Sequence, residues 1–339
     1  MSKKNSNVIL KNGFEDYDNL SKIFFNFKQK ILSLKKKTFI VAVSGGPDSL
    51  ALAALTKALS FQKKIKFFYI LINHNIRKNS LKEAENVKTL LKKHNINLKI
   101  FSNKKKITKN IQNNARIIRY KIISKFSSQK KVNHILTAHN LEDQVETFFI
   151  RLSRGSGLTG LSSMREHSIL PGNLILFRPL LSVKKKKLVS ISKIIFGRYF
   201  NDPSNKNKKY LRTKVRSLQK PLIQSGINYD QIIKSINNLA ASQATLDQYY
   251  SGISKKIIKK SKKLISINFR DFKTLNLELK IRIINDSIKI LKKNYYNPRS
   301  KKVINLLKKF EENRQSKATL SGCIFEKTGH LLKVKKEKK

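Results

Sequence analysis

Along the first two-thirds of the chain, short continuous apolar runs such as Phe39-Ile40-Val41-Ala42-Val43 alternate with longer stretches in which apolar residues return every three or four positions. A short run suits a strand covered on both faces, and the 3.6-residue period suits an amphipathic helix. The pattern predicts strand 38–43, helix 48–59, strand 65–73, helix 80–94 and strand 97–102. It continues with helix 108–127, strand 134–138, helix 142–152, strand 174–177 and helix 184–195. This rhythm implies βαβ units and an α/β fold with a doubly wound, mainly parallel sheet, whose ligands bind beyond the carboxyl ends of the strands. Further on, stripes at Ile232, Ile236 and Leu239, and at Leu279, Ile283, Ile284 and Leu291, predict helices whose apolar faces are core. Residues 319–334 alternate around Lys327-Thr328-Gly329-His330 and predict a terminal β-hairpin. The expected organisation is an N-terminal extension over 1–37, a catalytic domain over 38–216, a smaller helical domain over 228–310, and a C-terminal hairpin with a basic tail over 311–339.

Composition narrows the class. A chain of 339 residues suits two or three domains, and 40% hydrophobic content supports ordinary cores. The apolar run 67–72 is far too short to span a bilayer, and the polar start Met1-Ser2-Lys3-Lys4-Asn5 lacks a signal peptide's apolar region, so the expectation is a cytoplasmic protein without a membrane partner. Cys323 is the only cysteine, which excludes disulfides within the chain, CxxC metal clusters and cysteine-pair sulfur chemistry. The formal charge of +54 points to a polyanion, most simply nucleic acid. Abundant lysine with abundant asparagine also reflects AT-biased coding, so arginine is the better evidence. Ten of the 14 arginines fall between Arg77 and Arg216, which places the end of the catalytic domain near 216.

Ser44-Gly45-Gly46-Pro47-Asp48-Ser49 lies between the first strand and the first long helix. Two glycines allow close backbone approach to an anion, the helix aims free N–H groups at it, and the serines add donors. Asp48 would repel a polyphosphate unless a divalent cation lies between them, so a nucleotide with Mg2+ is expected. The loop has neither the lysine of a P-loop nor the spacing of GxGxxG; a plain glycine turn is the alternative. After the second strand, His74 and Arg77 stand at the ligand edge, with Ser80 and Glu83 at capping-box spacing. Arg116 and Arg119 share one helical face, with Tyr120 one turn from Arg116. His139 precedes Glu142, Asp143 and Glu146, acids whose helical spacing is destabilising unless a cation intervenes. They suit magnesium or a substrate ammonium, against a plain first-turn acidic preference. Arg151 and Arg154 begin a glycine-rich loop, Arg178 leads Pro179-Leu180-Leu181, and Asp202-Pro203-Ser204-Asn205 precedes Tyr210, Arg212 and Arg216.

In order, SGGPDS, NHNIR with SLKEA, ARIIRY, TAHNLEDQVET, RLSRGSGLTGL, RPLL, and DPSN with LRTKVR resemble the tRNA(Ile)-lysidine synthetases, a family of N-type ATP pyrophosphatases, over residues 38–216. The resemblance implies a PP-loop ATPase fold, like that of the adenine nucleotide α-hydrolases. It also implies that ATP adenylates the C2 oxygen of the wobble cytidine in tRNA(Ile) with a CAU anticodon, and that the ε-amine of L-lysine then displaces AMP, so that AUA is read instead of AUG. Carried onto this chain, Ser44, Gly45, Gly46, Asp48 and Ser49 would hold pyrophosphate and Mg2+, with Pro47, His74 and His139 in the nucleotide site. Asp143 and Glu146 would hold the lysine amines or a metal, and Arg116 the activated phosphate. Arg77, Arg119, Arg151, Arg154, Arg178, Arg212 and Arg216 would meet tRNA. Where the family often has paired aspartates, this chain has Glu142-Asp143, which leaves a role for Glu142 open. The later region would embrace tRNA; longer members carry a further module, which this chain ends too early to hold in full. A homodimer is compatible with this reading. Two other readings are a sister pyrophosphatase such as a tRNA thiolase or an amidotransferase synthetase, which the single cysteine opposes, and a noncatalytic tRNA-binding paralogue, which the intact motifs oppose.

Overall fold

In the computed structural model, β1 (Thr38–Ala42) is buried on both sides: Phe39 and Val41 enter one core and Ile40 the other. The structure describes residues 5–77, 79–103, 111–170, 172–201, 211–261, 263–292, 298–312 and 315–337. The motif Asp202-Pro203-Ser204-Asn205, with Tyr210, lies outside them. The chain forms two compact units, Met1–Ala240 and Ala241–Lys339, the division falling within a 29-residue helix, Tyr229–Ile257.

In the first unit, β1 is joined by β2 (Lys66–Asn73), β3 (Leu98–Ser102), β4 (His134–Leu136), β5 (His167–Leu170) and β6 (Leu174–Phe177) in the order β3-β2-β1-β4-β6-β5. All neighbours are parallel except the edge pair β5–β6. The α/β class and parallel sheet are as predicted; the antiparallel edge strand β5 is additional, its short His-Ser-Ile-Leu run carrying little pattern. Strand order reverses at β1, between β2 and β4, and a crevice at such a switch point is where open sheets take ligands.

Two helices precede the sheet, α1 (Ser6–Lys11) and α2 (Asp18–Ser33). Leu10, Phe14, Phe24, Phe27 and Ile31 enter the same core as Phe39 and Leu50, so the segment read as an extension is packed into this unit. The third helix, α3 (Pro47–Gln62), is apolar almost all round, as a helix pressed between the sheet and other helices requires. The elements α4 (Ser80–Lys92), α5 (Ile111–Lys130), α6 (Leu141–Leu152), α7 (Leu158–Leu161), α8 (Lys185–Phe196), α9 (Leu211–Ser217), α10 (Gln219–Gln224) and α11 (Tyr229–Ile257) follow. Ile123 and Phe126 of α5 cover the sheet face opposite α3.

In the second unit, β7 (Ile258–Lys260), β8 (Leu264–Asn268), β9 (Gln315–Leu320), β10 (Cys323–Thr328) and β11 (Leu331–Lys336) form an antiparallel sheet in the order β7-β8-β11-β10-β9. The predicted terminal hairpin is β10–β11. It sits inside a larger sheet whose other strands are short and lysine-flanked, which hid their alternation. Helices α12 (Phe269–Lys273), α13 (Leu277–Lys292) and α14 (Ser300–Glu312) share its core through Phe272, Ile283, Ile284 and Phe310 against Ile267, Phe325, Leu332 and Val334.

Candidate functional site

The turn from β1 into α3 is shaped by its own side chains. Ser49 Oγ accepts from Ser44 N at 3.0 Å, lies 3.1 Å from Ser44 Oγ and donates to Gly46 O at 3.0 Å. Gly45 has φ +85°, and a Cβ there would stand 2.5 Å from Val87 Cγ2, so both backbone and space require glycine. Gly46 caps α3 without a side chain and Pro47 occupies its first turn, where the leading amides of a helix lack intrahelical partners and can meet an anion.

Asp48 is the charged member of this turn. Asn140 hydrogen-bonds its carboxylate, while Oδ1 is buried without a partner. Burial raises its pKa to about 6; Lys185 and Asn140 oppose the shift, and Asp143 and Glu142 add to it. A buried carboxylate with an orphan oxygen, among other acids, fits a divalent cation. No three His, Cys, Asp or Glu side chains among the described residues could cage one. The donor set therefore matches Mg2+, which takes one or two carboxylates and completes its shell with phosphate oxygens and water.

The acids of α6 are satisfied in three different ways. Asn140 and Asp143 form a reciprocal capping box: Asp143 N donates to Asn140 Oδ1 at 3.0 Å and Asn140 N to Asp143 Oδ2 at 3.1 Å. This Asn-x-x-Asp cap is legible in the sequence, where the acids draw attention away from it. Glu142 Oε2 accepts from Lys185 N at 2.8 Å, and burial raises its pKa. Glu146, 3% exposed, accepts from Arg216 Nε on Oε1 at 2.5 Å and forms an ion pair through Oε2 with Arg212, whose Nε lies 2.8 Å away; Arg212 also lies 3.7 Å from Asp143. The one-turn spacing of the two arginines places both on one carboxylate. The like-charge conflict expected from spacing alone is thus relieved by a cap, a helix amide and two guanidinium groups.

His139 Nδ1 lies 2.9 Å from Thr137 Oγ1, and burial lowers its pKa to about 4, with Asp143 opposing and Arg178, Arg212 and Arg116 assisting. His74 Nε2 lies 3.5 Å from Arg119 Nη2; burial and then Arg119 hold its pKa at about 4, and its Nδ1 is buried without a partner. Both imidazoles are neutral at physiological pH, suited to hydrogen bonding a nucleotide and unsuited to charge pairing with phosphate.

The arginines separate into two groups. Arg178 is buried and donates to Arg165 O at 2.7 Å and Ser168 Oγ at 2.8 Å, while Arg151 donates to Gly160 O at 2.6 Å and Ser163 O at 2.8 Å. These two shape the β5–β6 hairpin and the glycine-rich turn, and Arg77 pairs with Glu83 at 2.7 Å. Arg116, stacked 5.2 Å over Tyr120, Arg119 and Arg154 are exposed. Sequence reading missed Lys185, which nothing distinguishes within the run 184–187, and Ser192, whose Oγ donates to Pro47 O at 2.5 Å.

Residues 19–222 match the PP-loop domain family. A tRNA(Ile)-lysidine synthase of Wolbachia pipientis wMel is 31% identical over 302 residues, covering 88% of this chain and 70% of that protein. A tRNA(Ile)-lysidine synthase of Orientia tsutsugamushi (strain Boryong) is 32% identical over 298 residues, covering 84% of this chain and 66% of its own length. Among solved structures, the U34-tRNA thiolase NcsA of Methanococcus maripaludis superposes with a TM-score of 0.53 at 18% identity, covering 65% of this chain and 79% of that one, a likeness that bears on fold alone.

Proposed function

The chain belongs to the tRNA(Ile)-lysidine synthases of the PP-loop family, and on that premise we propose how its residues share the reaction. It uses ATP to convert the wobble cytidine of tRNA(Ile) to lysidine. The cytidine C2 oxygen attacks the α-phosphorus and pyrophosphate leaves; the ε-amine of L-lysine then attacks C2, the C2–O bond breaks, and AMP departs as the amine gives up its proton. Adenylation converts a poor leaving oxygen into AMP, and positioning with electrostatic stabilisation supplies much of the remaining acceleration.

The observation that carries the residue roles is the convergence of the Ser44–Ser49 turn with the start of α6, joined by the Asn140–Asp48 hydrogen bond. Ser44, Gly45, Gly46 and Ser49 receive the departing pyrophosphate, and Asp48 would hold Mg2+, whose charge would offset that of the phosphates. His74 and His139 line the nucleotide site as neutral donors or acceptors, and exposed Arg116 meets the activated phosphate. Asp143 and Glu146 receive the ammonium groups of lysine; because Glu146 carries Arg212 and Arg216, an arriving ammonium replaces a guanidinium there. Arg119 and Arg154, exposed, meet tRNA phosphates directly, while Arg77, Arg151 and Arg178 shape the surface that does so. Residues 38–216 serve as the catalytic domain, with 228–310 and the strands of 311–339 as the tRNA-holding part. A cytoplasmic site of action follows from the substrate, and no helix among the described residues is long and apolar enough to cross a membrane.

Incubation with ATP, Mg2+, bulk bacterial tRNA and each radiolabelled amino acid in turn tests this reading. Alkali-stable label in acid-precipitable RNA is expected from lysine alone. Label from another amino acid, or AMP release only with a different nucleophile, overturns the lysine assignment.

A further inference from the structure

Four consecutive lysines, Lys184, Lys185, Lys186 and Lys187, lead into α8, and in sequence they are interchangeable. The fold separates them. Lys184 Nζ pairs with Asp230 at 2.8 Å on the surface, and Lys186 is exposed. Lys185 and Lys187 are both half-buried, and of the two it is Lys185 whose backbone is fixed from two sides. On one side its amide donates to Glu142 Oε2 at 2.8 Å, and two residues earlier Val183 O accepts from Leu141 N at 3.1 Å. The start of α8 is thereby stitched to the first turn of α6, whose cap Asn140 reaches Asp48. On the other side Ser192 Oγ bonds Pro47 O, and Leu188, Ile191 and Ile195 pack into the core of α3, so α8 is keyed to the helix that follows the glycine turn. Lys185 thus stands beside the turn that carries Asp48, near enough for its charge to act on that residue.

The turn itself offers pyrophosphate only neutral donors, while Asp48, Asp143 and Glu142 surround it with negative charge. One divalent cation leaves a substantial repulsion between a triphosphate and these partly buried carboxylates. P-loops meet this need with a lysine inside the motif, a compact charge reaching the β- and γ-phosphates, and Ser44-Gly45-Gly46-Pro47-Asp48-Ser49 has none. We propose that Lys185 supplies that ammonium from α8, gripping the β- and γ-phosphates of ATP and then the departing pyrophosphate, with Glu142 as its positioning residue. This rests on the reading of the glycine turn as the nucleotide site.

The test uses the full chain and inorganic pyrophosphate with Mg2+ as probe, measured by calorimetry, together with AMP release as a function of ATP concentration. Removing a charge-assisted phosphate contact in Lys185→Met is expected to weaken pyrophosphate binding and raise KM for ATP by about tenfold or more. Lys186→Met should stay within about twofold of wild type, since an exposed charge outside the site is largely screened. Lys185→Arg should recover most of the loss, which a merely structural role would not produce, and Lys185→Gln provides a second removal if the methionine variant is poorly soluble. Unchanged pyrophosphate affinity in both removal variants, with wild type active, overturns the Lys185 assignment alone. A wild-type protein that neither binds pyrophosphate nor releases AMP overturns the nucleotide-site reading and this assignment with it.

Discussion

At the scale of single residues, the decisive feature of Asp48 is that its buried Oδ1 has no protein partner while its neighbours include other acids. A carboxylate so placed is costly unless a cation meets it. Asp48→Asn should therefore abolish AMP release while leaving tRNA affinity within a few-fold of wild type; wild-type turnover by that variant would remove the metal assignment. His74 gives a separate prediction through pH. Burial, and then Arg119, lower its pKa from 6.5 to about 4, so between these values the unfolded chain binds a proton that the folded chain does not. By linkage, its contribution to stability is present above pH 6.5 and is lost as pH falls toward 4. Thermal melting at pH 7 and pH 5 should show a smaller drop for His74→Gln than for wild type. An identical drop would mean that His74 is not held neutral by its surroundings.

At the scale of elements, α9 is short, carries Leu211 and Val215 on a stripe that Leu218 continues just beyond its end, and is tied to α6 by Arg212 and Arg216 on Glu146. A seven-residue helix has little stability of its own, so these contacts decide whether it is ordered. Glu146→Gln should remove about 1–3 kcal/mol of local stability, because one neutral amide cannot satisfy two guanidinium groups. Hydrogen exchange should quicken in α9 and leave β1–β4 unchanged; uniform protection across the first unit would show that apolar packing alone holds the helix. Element scale is also where sequence reading was strongest. Strands β1, β2, β4 and β6 follow from continuous apolar runs, since a strand covered on both faces has no polar side to blur the signal, while the edge strand β3 shows through Leu98, Ile100 and Phe101 despite exposed Lys99. The elements missed include β5, too short to show a pattern, and α1, α2 and β7 to β9, where polar residues interrupt the apolar positions and long-range packing supplies the reason to form.

At the scale of the whole molecule, the charge of +54 is distributed with some order in the second unit. Strand register sets Lys259, Ser266, Lys333, Glu326 and Lys317 in one row across β7, β8, β11, β10 and β9. They lie on the face opposite buried Ile267, Val334 and Phe325. Such a row can meet consecutive phosphates without reading bases. Replacing Lys317 and Lys333 together by Gln should reduce the slope of log Kd for tRNA against log salt by about one to two, with AMP release at saturating tRNA unchanged. An unaltered slope would mean that this face is merely solvated. The sequence by itself determined the α/β class, the glycine turn between β1 and α3, the edge of the sheet on which the motifs gather, and the family. Each of these rests on local rules of periodicity, backbone freedom and motif order that need no distant partner. Only the tertiary structure decided which charges meet. It put Asn140 on Asp48, set Arg212 and Arg216 on Glu146, turned Arg151 and Arg178 inward to hold loops, and singled Lys185 out of four identical neighbours. The physical reason is that an ion pair depends on distances of a few ångströms between side chains tens of residues apart, and such distances exist only once the helices have packed.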